Sequence, residues 1–241
     1  MTKIHIDNRQ EFISFLDSFA SVSESFIIDV TKEKMAVTCA SPDNTLISYG
    51  EYVANVEYEG VLCIPNGKRL VSLLSSIQAI DLDLMIHTNA IEYKGSGINF
   101  KYHLVDEDWI KAPALKPEKI KAFQYDTSYD INSDTIREII KSSSFAPDTD
   151  NLYLFTEKSE FKCELTDRSK DNTDSYVMTI GEVSEPLSIA FSLRMDALRL
   201  LNLRSLQEDV KINFNTDLVV ISLTGGTENS SITYILTTYG T

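Results

Sequence analysis

The stretch Leu187-Ser188-Ile189-Ala190-Phe191-Ser192-Leu193-Arg194-Met195 decides how the rest of the chain reads. It is an alternating, β-prone run that passes directly into a helical stripe at Leu193, Ala197, Leu200 and Leu201. About 127 residues earlier, Gly60-Val61-Leu62-Cys63-Ile64 leads in the same way into a stripe at Leu70, Leu73, Leu74 and Ile77. Working outward, the correspondence recurs. Cys39 and Cys163 end equivalent runs, and Asp43-Asn44-Thr45 and Asp171-Asn172-Thr173 follow them, the second copy with four extra loop residues. Residues 82–86 match 210–214. A helical window at 8–20, with Phe12, Phe15, Leu16 and Phe19 on one face, matches one at 132–144 with Ile136, Ile139 and Ile140. Identities are few, so the repeated order of elements is the signal: helix, several strands, helix, three strands, written twice.

The four helical windows (8–20, 66–77, 132–144 and 193–205) are short, and almost everything else reads as strand. The first half gives 25–30, 35–39, 82–87, 91–94 and 98–102, and the second 152–156, 161–165, 175–180, 187–191, 210–214, 218–223 and 232–238. Short polar turns between runs indicate hairpins, so the expected class is α+β with antiparallel sheets, not a parallel α/β sheet. The pattern predicts two similar domains, 1–103 and 122–241, joined by a connector over 104–121. That connector holds Pro113 and Pro117, the acidic trio Asp106, Glu107 and Asp108, and the only tryptophan, Trp109. Trp109-Ile110 either packs down or offers a partner an apolar handle.

At 241 residues, 43% hydrophobic and 24% charged, with only 9 Gly and 6 Pro, the composition is globular and excludes a disordered or low-complexity chain. No apolar run is long enough to span a bilayer, and Met1-Thr2-Lys3-Ile4-His5 opens no secretory signal, so a soluble intracellular protein without a membrane partner is expected. Cys39, Cys63 and Cys163 form no CxxC and read as reduced core residues.

Catalytic constellations are missing from the sequence. His5, His87 and His103 are isolated, and no GxSxG occurs. Asn66-Gly67-Lys68-Arg69 lacks the remainder of a phosphate loop. Residues 166–174 lack the central Gly and final Glu of a calcium loop. The chain is expected to be no enzyme and to need neither metal nor cofactor.

Charge is informative through its placement. Lys and Arg number 22 against 36 Asp and Glu, a net −14 that taken alone argues against nucleic acid. The helical windows and their flanks, however, carry eight cations: Arg9, Lys68, Arg69, Arg137, Lys141, Arg194, Arg199 and Arg204. Only five carboxylates accompany them (Glu11, Asp17, Asp134, Glu138, Asp196), so these windows are net positive by three and the remainder is strongly acidic. Solubilising surface cations would explain so small an excess. A shared helix face multiplied by oligomerisation would make it a basic track for a phosphate backbone, with an acidic exterior repelling DNA.

Pro186 through Met195, the short helix and three strand runs that follow, the closing Ile232-Thr233-Tyr234-Ile235-Leu236-Thr237, and the opening Phe12, Phe15, Leu16 and Phe19 together resemble the DNA sliding clamps, the processivity factors of replicative polymerases. The likeness is to the T-even-like bacteriophage type, with proliferating cell nuclear antigen more distant, and it covers essentially the whole chain. It implies a homotrimeric ring of six domains, with sheets outside and helices lining a hole that encircles duplex DNA independently of sequence. It implies a head-to-tail joint between 98–102 of one chain and 175–180 of the next, DNA contacts from the eight cations, and a DNA polymerase and an ATP-driven clamp loader as partners. It also implies a partner-peptide pocket, for which Leu46, Trp109, Ile110, Leu115, Leu236 and Tyr239 are the candidates, and a cytoplasmic location, the host's if the protein is viral. The competing readings are a phage structural or assembly protein of repeated β-rich domains, an enzyme gathering His87 or His103 with carboxylates, and a monomeric factor that binds DNA on one face.

Overall fold

The computed structural model describes residues 2–54, 56–95, 97–111, 113, 115–145, 149–206 and 209–238. The chain divides into two compact units, one of residues up to Lys121 with Gly226–Ile232, the other of the remainder.

The first unit runs β1 (Thr2–Ile6), α1 (Arg9–Ala20), β2 (Phe26–Val30), β3 (Lys34–Ala40), β4 (Leu46–Val53), β5 (Gly60–Ile64), α2 (Gly67–Ser75), β6 (Leu82–His87), β7 (Ala90–Lys94) and β8 (Asn99–His103). A short helix α3 (Pro117–Lys121) follows in the connector. The second set runs β9 (Thr127–Asn132), α4 (Ser133–Ser142), β10 (Asn151–Glu157), β11 (Glu160–Leu165), β12 (Tyr176–Glu182), β13 (Phe191–Arg194), α5 (Met195–Arg199), β14 (Asp209–Asn215), β15 (Val220–Gly226) and β16 (Ser230–Thr237). Strand, helix, four strands, helix, three strands thus occurs twice. The fold class is α+β with antiparallel sheets, as the alternation required. Within the first unit the strand orders are β1-β6-β7-β8 and β5-β2-β3-β4; within the second they are β12-β11-β10-β13 and β15-β14-β9.

The repeat is physical as well as statistical. Cys39 lies on β3 and Cys163 on β11, the same strand of each copy. In the turns that follow, Asn44 and Asn172 hold φ of 58° and 59°, the left-handed region that asparagine tolerates better than most residues. Three helices open on asparagine. The side-chain oxygens of Asn8, Asn66 and Asn132 accept from the backbone N–H of Glu11 (3.2 Å), Arg69 (2.8 Å) and Asp134 (2.8 Å). Replacing Asn66 with Ala orphans a donor at the start of α2. It should cost about 1 kcal/mol, seen as a lower urea midpoint with an unchanged slope.

Each unit has an aromatic core. In the first, α1 buries Phe12, Phe15, Leu16 and Phe19 on its striped face, and Phe15 meets Phe19 edge-on with ring centres 5.0 Å apart. Helices α1 and α2 pack closely here: a side chain at Gly67 would run into the Phe26 ring and lie 3.0 Å from the Ala20 Cβ. In the second, Phe214 sits between Tyr129, Phe161 and Phe191, at centroid distances of 5.5, 5.9 and 5.0 Å.

Three strand or helix expectations need correction. The window at 193–205 yields only the five residues of α5: at its C-terminal end the Leu200 and Leu201 N–H groups bond three residues back, to the Ala197 and Leu198 carbonyls at 3.3 and 3.1 Å, and the α-helical ladder stops. Residues 187–190 form no strand; the ladder begins at Phe191, opposite Leu154. Pro186 lacks an N–H and the Leu187 N–H is taken by Thr156 Oγ1 at 2.9 Å, so neither can start a ladder. Strands β1, β4 and β9 went unread. β4 is buried on both faces and shows no alternation, whereas β1 and β9 carry too many polar residues to stand out.

Candidate nucleic-acid interface

The eight cations divide into two sets. Four are held by the fold. Arg9, at the start of α1, donates from Nε to the Ala79 carbonyl at 2.7 Å and from Nη1 towards the Ser75 and Leu74 carbonyls at 3.4 and 3.5 Å, capping the end of α2. Arg137 pairs with Asp134 on its own helix and reaches the Leu203 carbonyl at 3.4 Å. Arg194 and Arg199 share one carboxylate, Asp196, at 3.2 and 3.0 Å, and Arg199 also donates to Ser143 Oγ at 3.0 Å.

The other four, Lys68, Arg69, Lys141 and Arg204, are exposed, and their side chains make no ion pair among the described residues. Lys68 and Arg69 occupy the first turn of α2, where the helix dipole disfavours positive charge. Their position therefore does not serve the helix. Glu11, which opposes the cations in the sequence count, is turned inward: it accepts from Thr227 Oγ1 and, at 2.9 Å, from Asn229 Nδ2, fastening the 227–230 turn to α1.

The candidates for a partner-peptide pocket differ in their exposure within each unit. Leu46 and Leu236 are wholly buried and have nothing to offer a ligand. Ile110 is 7% exposed, Leu115 is half-buried, and Trp109 is 80% exposed, so the two readings of Trp109-Ile110 divide between neighbours. Tyr239 lies outside the described residues.

The connector is instead anchored at its far end. Ile120 of α3 is buried, and the Lys121 ammonium lies 2.8 Å from Glu51 Oε1 and 5.4 Å above the Tyr49 ring. Lys34 Nζ and the Tyr49 hydroxyl reach the same carboxylate oxygen at 2.7 and 2.6 Å. Burial alone would push the Glu51 carboxyl up, but the bonds from Lys121, Lys34 and Tyr49 outweigh it and hold it at about 2. Burial and Glu51 together push the Tyr49 hydroxyl up to about 12. Because the folded carboxyl lies below its ordinary value of 4.5, its contribution is complete above that value and is lost as pH falls towards 2. Acid titration followed by amide exchange at Ile120 and Lys121 should show α3 loosening across that window, and Glu51→Gln should show it loosened already at neutral pH. Nothing in the linear sequence places Lys34, Glu51 and Lys121 together.

Each unit also has a strand at the end of a sheet. β8 and β12 each end a sheet order. β8 presents Asn99, Lys101 and His103 to solvent, while β12 presents Val177, Thr179 and Glu182. Beside β12, Phe145 is 68% exposed with its ring stacked on Tyr176 at 5.4 Å. Among the described residues no cluster of His, Cys, Asp and Glu could hold a metal ion, and no helix is long and apolar enough to cross a membrane.

No family model and no curated protein matches the sequence. In three dimensions the likenesses extend over the whole chain. The A. fulgidus proliferating cell nuclear antigen, seen with the C-terminal region of FEN-1 bound, gives a TM-score of 0.78 at 13% identity, over 100% of this chain and 99% of that one. The antigen of Entamoeba histolytica gives 0.77 at 16%, over 99% of each chain. That of Thermococcus kodakaraensis gives 0.76 at 15%, over 99% of this chain and 100% of its own. At such identities the likeness is one of fold: the chain has the fold of the proliferating cell nuclear antigen clamps.

Proposed function

We propose that this chain is a sliding clamp of the T-even-like phage type, closing head to tail as a homotrimer around duplex DNA and tethering a DNA polymerase. The observation that carries this is the doubled ten-element unit, with an unpaired strand edge in each copy, matching the antigen clamps over the whole chain. The cationic and polar edge of β8 suits the acidic end of β12 on a neighbouring copy, and pairing them covers two edges that would otherwise invite aggregation. The apolar Phe145–Tyr176 stack beside β12 adds surface for the same joint. Three copies bring twelve free cations, from Lys68, Arg69, Lys141 and Arg204, to duplex DNA as mobile phosphate contacts that carry no sequence preference and permit sliding. Tethering raises the polymerase's local concentration at the primer end, so that dissociation becomes rebinding. A clamp loader would open the ring in the cytoplasm, the host's if the chain is viral.

Encirclement has a topological signature. At high protein concentration a ring threads onto linear duplex through its free ends, so blocking both ends beforehand should abolish binding. Equal binding to open and blocked duplex would overturn encirclement.

A further inference from the structure

Asn66-Gly67 is the only Asn-Gly dipeptide in the chain, and it opens α2. Two separate demands put these residues side by side. The capping position needs a short side chain with an acceptor oxygen, and Asn66 offers its own to the Arg69 N–H at 2.8 Å. The next position tolerates no side chain, because a Cβ at Gly67 would run into the Phe26 ring. The other capping asparagines, Asn8 and Asn132, are followed by Arg9 and Ser133, so only at α2 does a capping asparagine meet a glycine.

An asparagine that precedes glycine can react with its own backbone. The nitrogen of the glycine loses its proton and bonds to the side-chain carbonyl carbon of the asparagine. The bond from that carbon to Nδ2 then breaks, and the amide nitrogen takes up the proton and leaves as ammonia. Water opens the five-membered imide that remains. Opening at one carbonyl gives aspartate; opening at the other gives isoaspartate, whose main chain runs through the former side-chain carbon. Glycine favours the closure because it has no side chain in the way and adopts the required dihedrals freely.

In the folded chain the groups that would take part are all engaged. Gly67 N–H donates to the Glu24 carbonyl at 2.7 Å, so the attacking nitrogen keeps its proton. The Asn66 side chain is held at both ends, Oδ1 by the Arg69 N–H and Nδ2 by Glu24 Oε1 at 3.1 Å. Its main chain is held as well: Asn66 N–H donates to the Tyr102 hydroxyl at 3.0 Å, and that hydroxyl donates to the Asn66 carbonyl at 2.8 Å. We propose that Asn66 is a latent deamidation site, locked by Glu24, Arg69 and Tyr102 while the start of α2 is closed and modified when it opens. The isoaspartyl product does not relock. Its extra backbone carbon displaces the cap from the Arg69 N–H and disturbs the close approach of Gly67 to Phe26, and a carboxylate replaces the N–H donor to Glu24. Modification therefore leaves the first turn of α2, with Lys68 and Arg69, permanently open. The inference uses contacts within the first unit alone and depends on neither a ring nor DNA.

The test follows the full chain, folded and in urea, at mildly alkaline pH, by mass spectrometry of the proteolytic peptide that spans Asn66. Conversion in the folded protein should be at least about tenfold slower than in urea, because it waits for this end of α2 to open. Tyr102→Phe removes the hydroxyl that grips the Asn66 backbone, and Glu24→Ala removes the anchor of Nδ2. Each should speed conversion in the folded protein and leave the rate in urea unchanged. Glu24 is exposed, so its variant keeps the fold and gives the answer even where Tyr102→Phe does not. In protein aged until partly converted, amide exchange at Arg69 and Leu70 should be fast in the isoaspartyl fraction and slow in the remainder. Equal conversion of folded and unfolded protein, an unchanged folded rate in Glu24→Ala, or full amide protection in the isoaspartyl fraction would each overturn the proposal.

Discussion

With Lys68, Arg69, Lys141 and Arg204 all changed to glutamate, the association with duplex DNA that the proposed function requires should be lost while the fold remains. These four side chains are exposed and make no ion pair among the described residues, so their reversal breaks no internal bond. At α2 the two new carboxylates suit the helix N-terminus better than the cations they replace. On the DNA side the effect is large. Each phosphate contact contributes nearly one unit to the salt dependence of log K, so removing several per protomer should cost about a thousandfold or more at moderate salt and flatten that dependence. The measurement is DNA binding by fluorescence anisotropy across a salt series, with urea unfolding alongside. Reversal of Arg9, Arg137, Arg194 and Arg199 should behave differently and lower stability, because their guanidinium groups hold backbone carbonyls or a shared aspartate. Unchanged DNA binding in the fourfold variant would remove the helices from the interface and favour a structural or assembly protein.

The second large effect is on stability. Phe214 is wholly buried at the centre of the Tyr129, Phe161 and Phe191 cluster, whose members come from β9, β11 and β13. Phe214→Ala removes contacts with all three rings and leaves a cavity, a change that costs about 3–5 kcal/mol in well-packed cores. Domains have about 5–15 kcal/mol in total, so the second unit should unfold well before the first. Circular dichroism in urea should then show two transitions where the parent shows one. A loss below about 1 kcal/mol would mean that this cluster does not hold the two sheets together.

Much of the fold was legible because it is written twice. The Phe12, Phe15, Leu16, Phe19 stripe, the Asp-Asn-Thr turns and the asparagines that open helices are local signals, and each has a local cause. The second helix of the second copy is shorter than its stripe suggests because Leu200 and Leu201 continue the apolar pattern, whereas their N–H groups already bond three residues back instead of four. β4 escaped because burial on both faces erases alternation. The site was less legible for a related reason. Sequence shows that a window is cationic, but not that Arg9 is taken up by carbonyls some seventy residues away, nor that Glu11 is consumed by a turn more than two hundred residues later. Among the pocket candidates, the burial of Leu46 and Leu236 was hidden in the same way, since apolar residues look alike in sequence whether they line a surface or fill a core.

Closure of the proposed ring is tested most directly by absolute mass from light scattering after size exclusion, across a dilution series. A species near three times 27.1 kDa, persisting into the low micromolar range, is the predicted result. A monomer at every concentration would contradict it and leave a one-face DNA-binding factor or a structural module in its place.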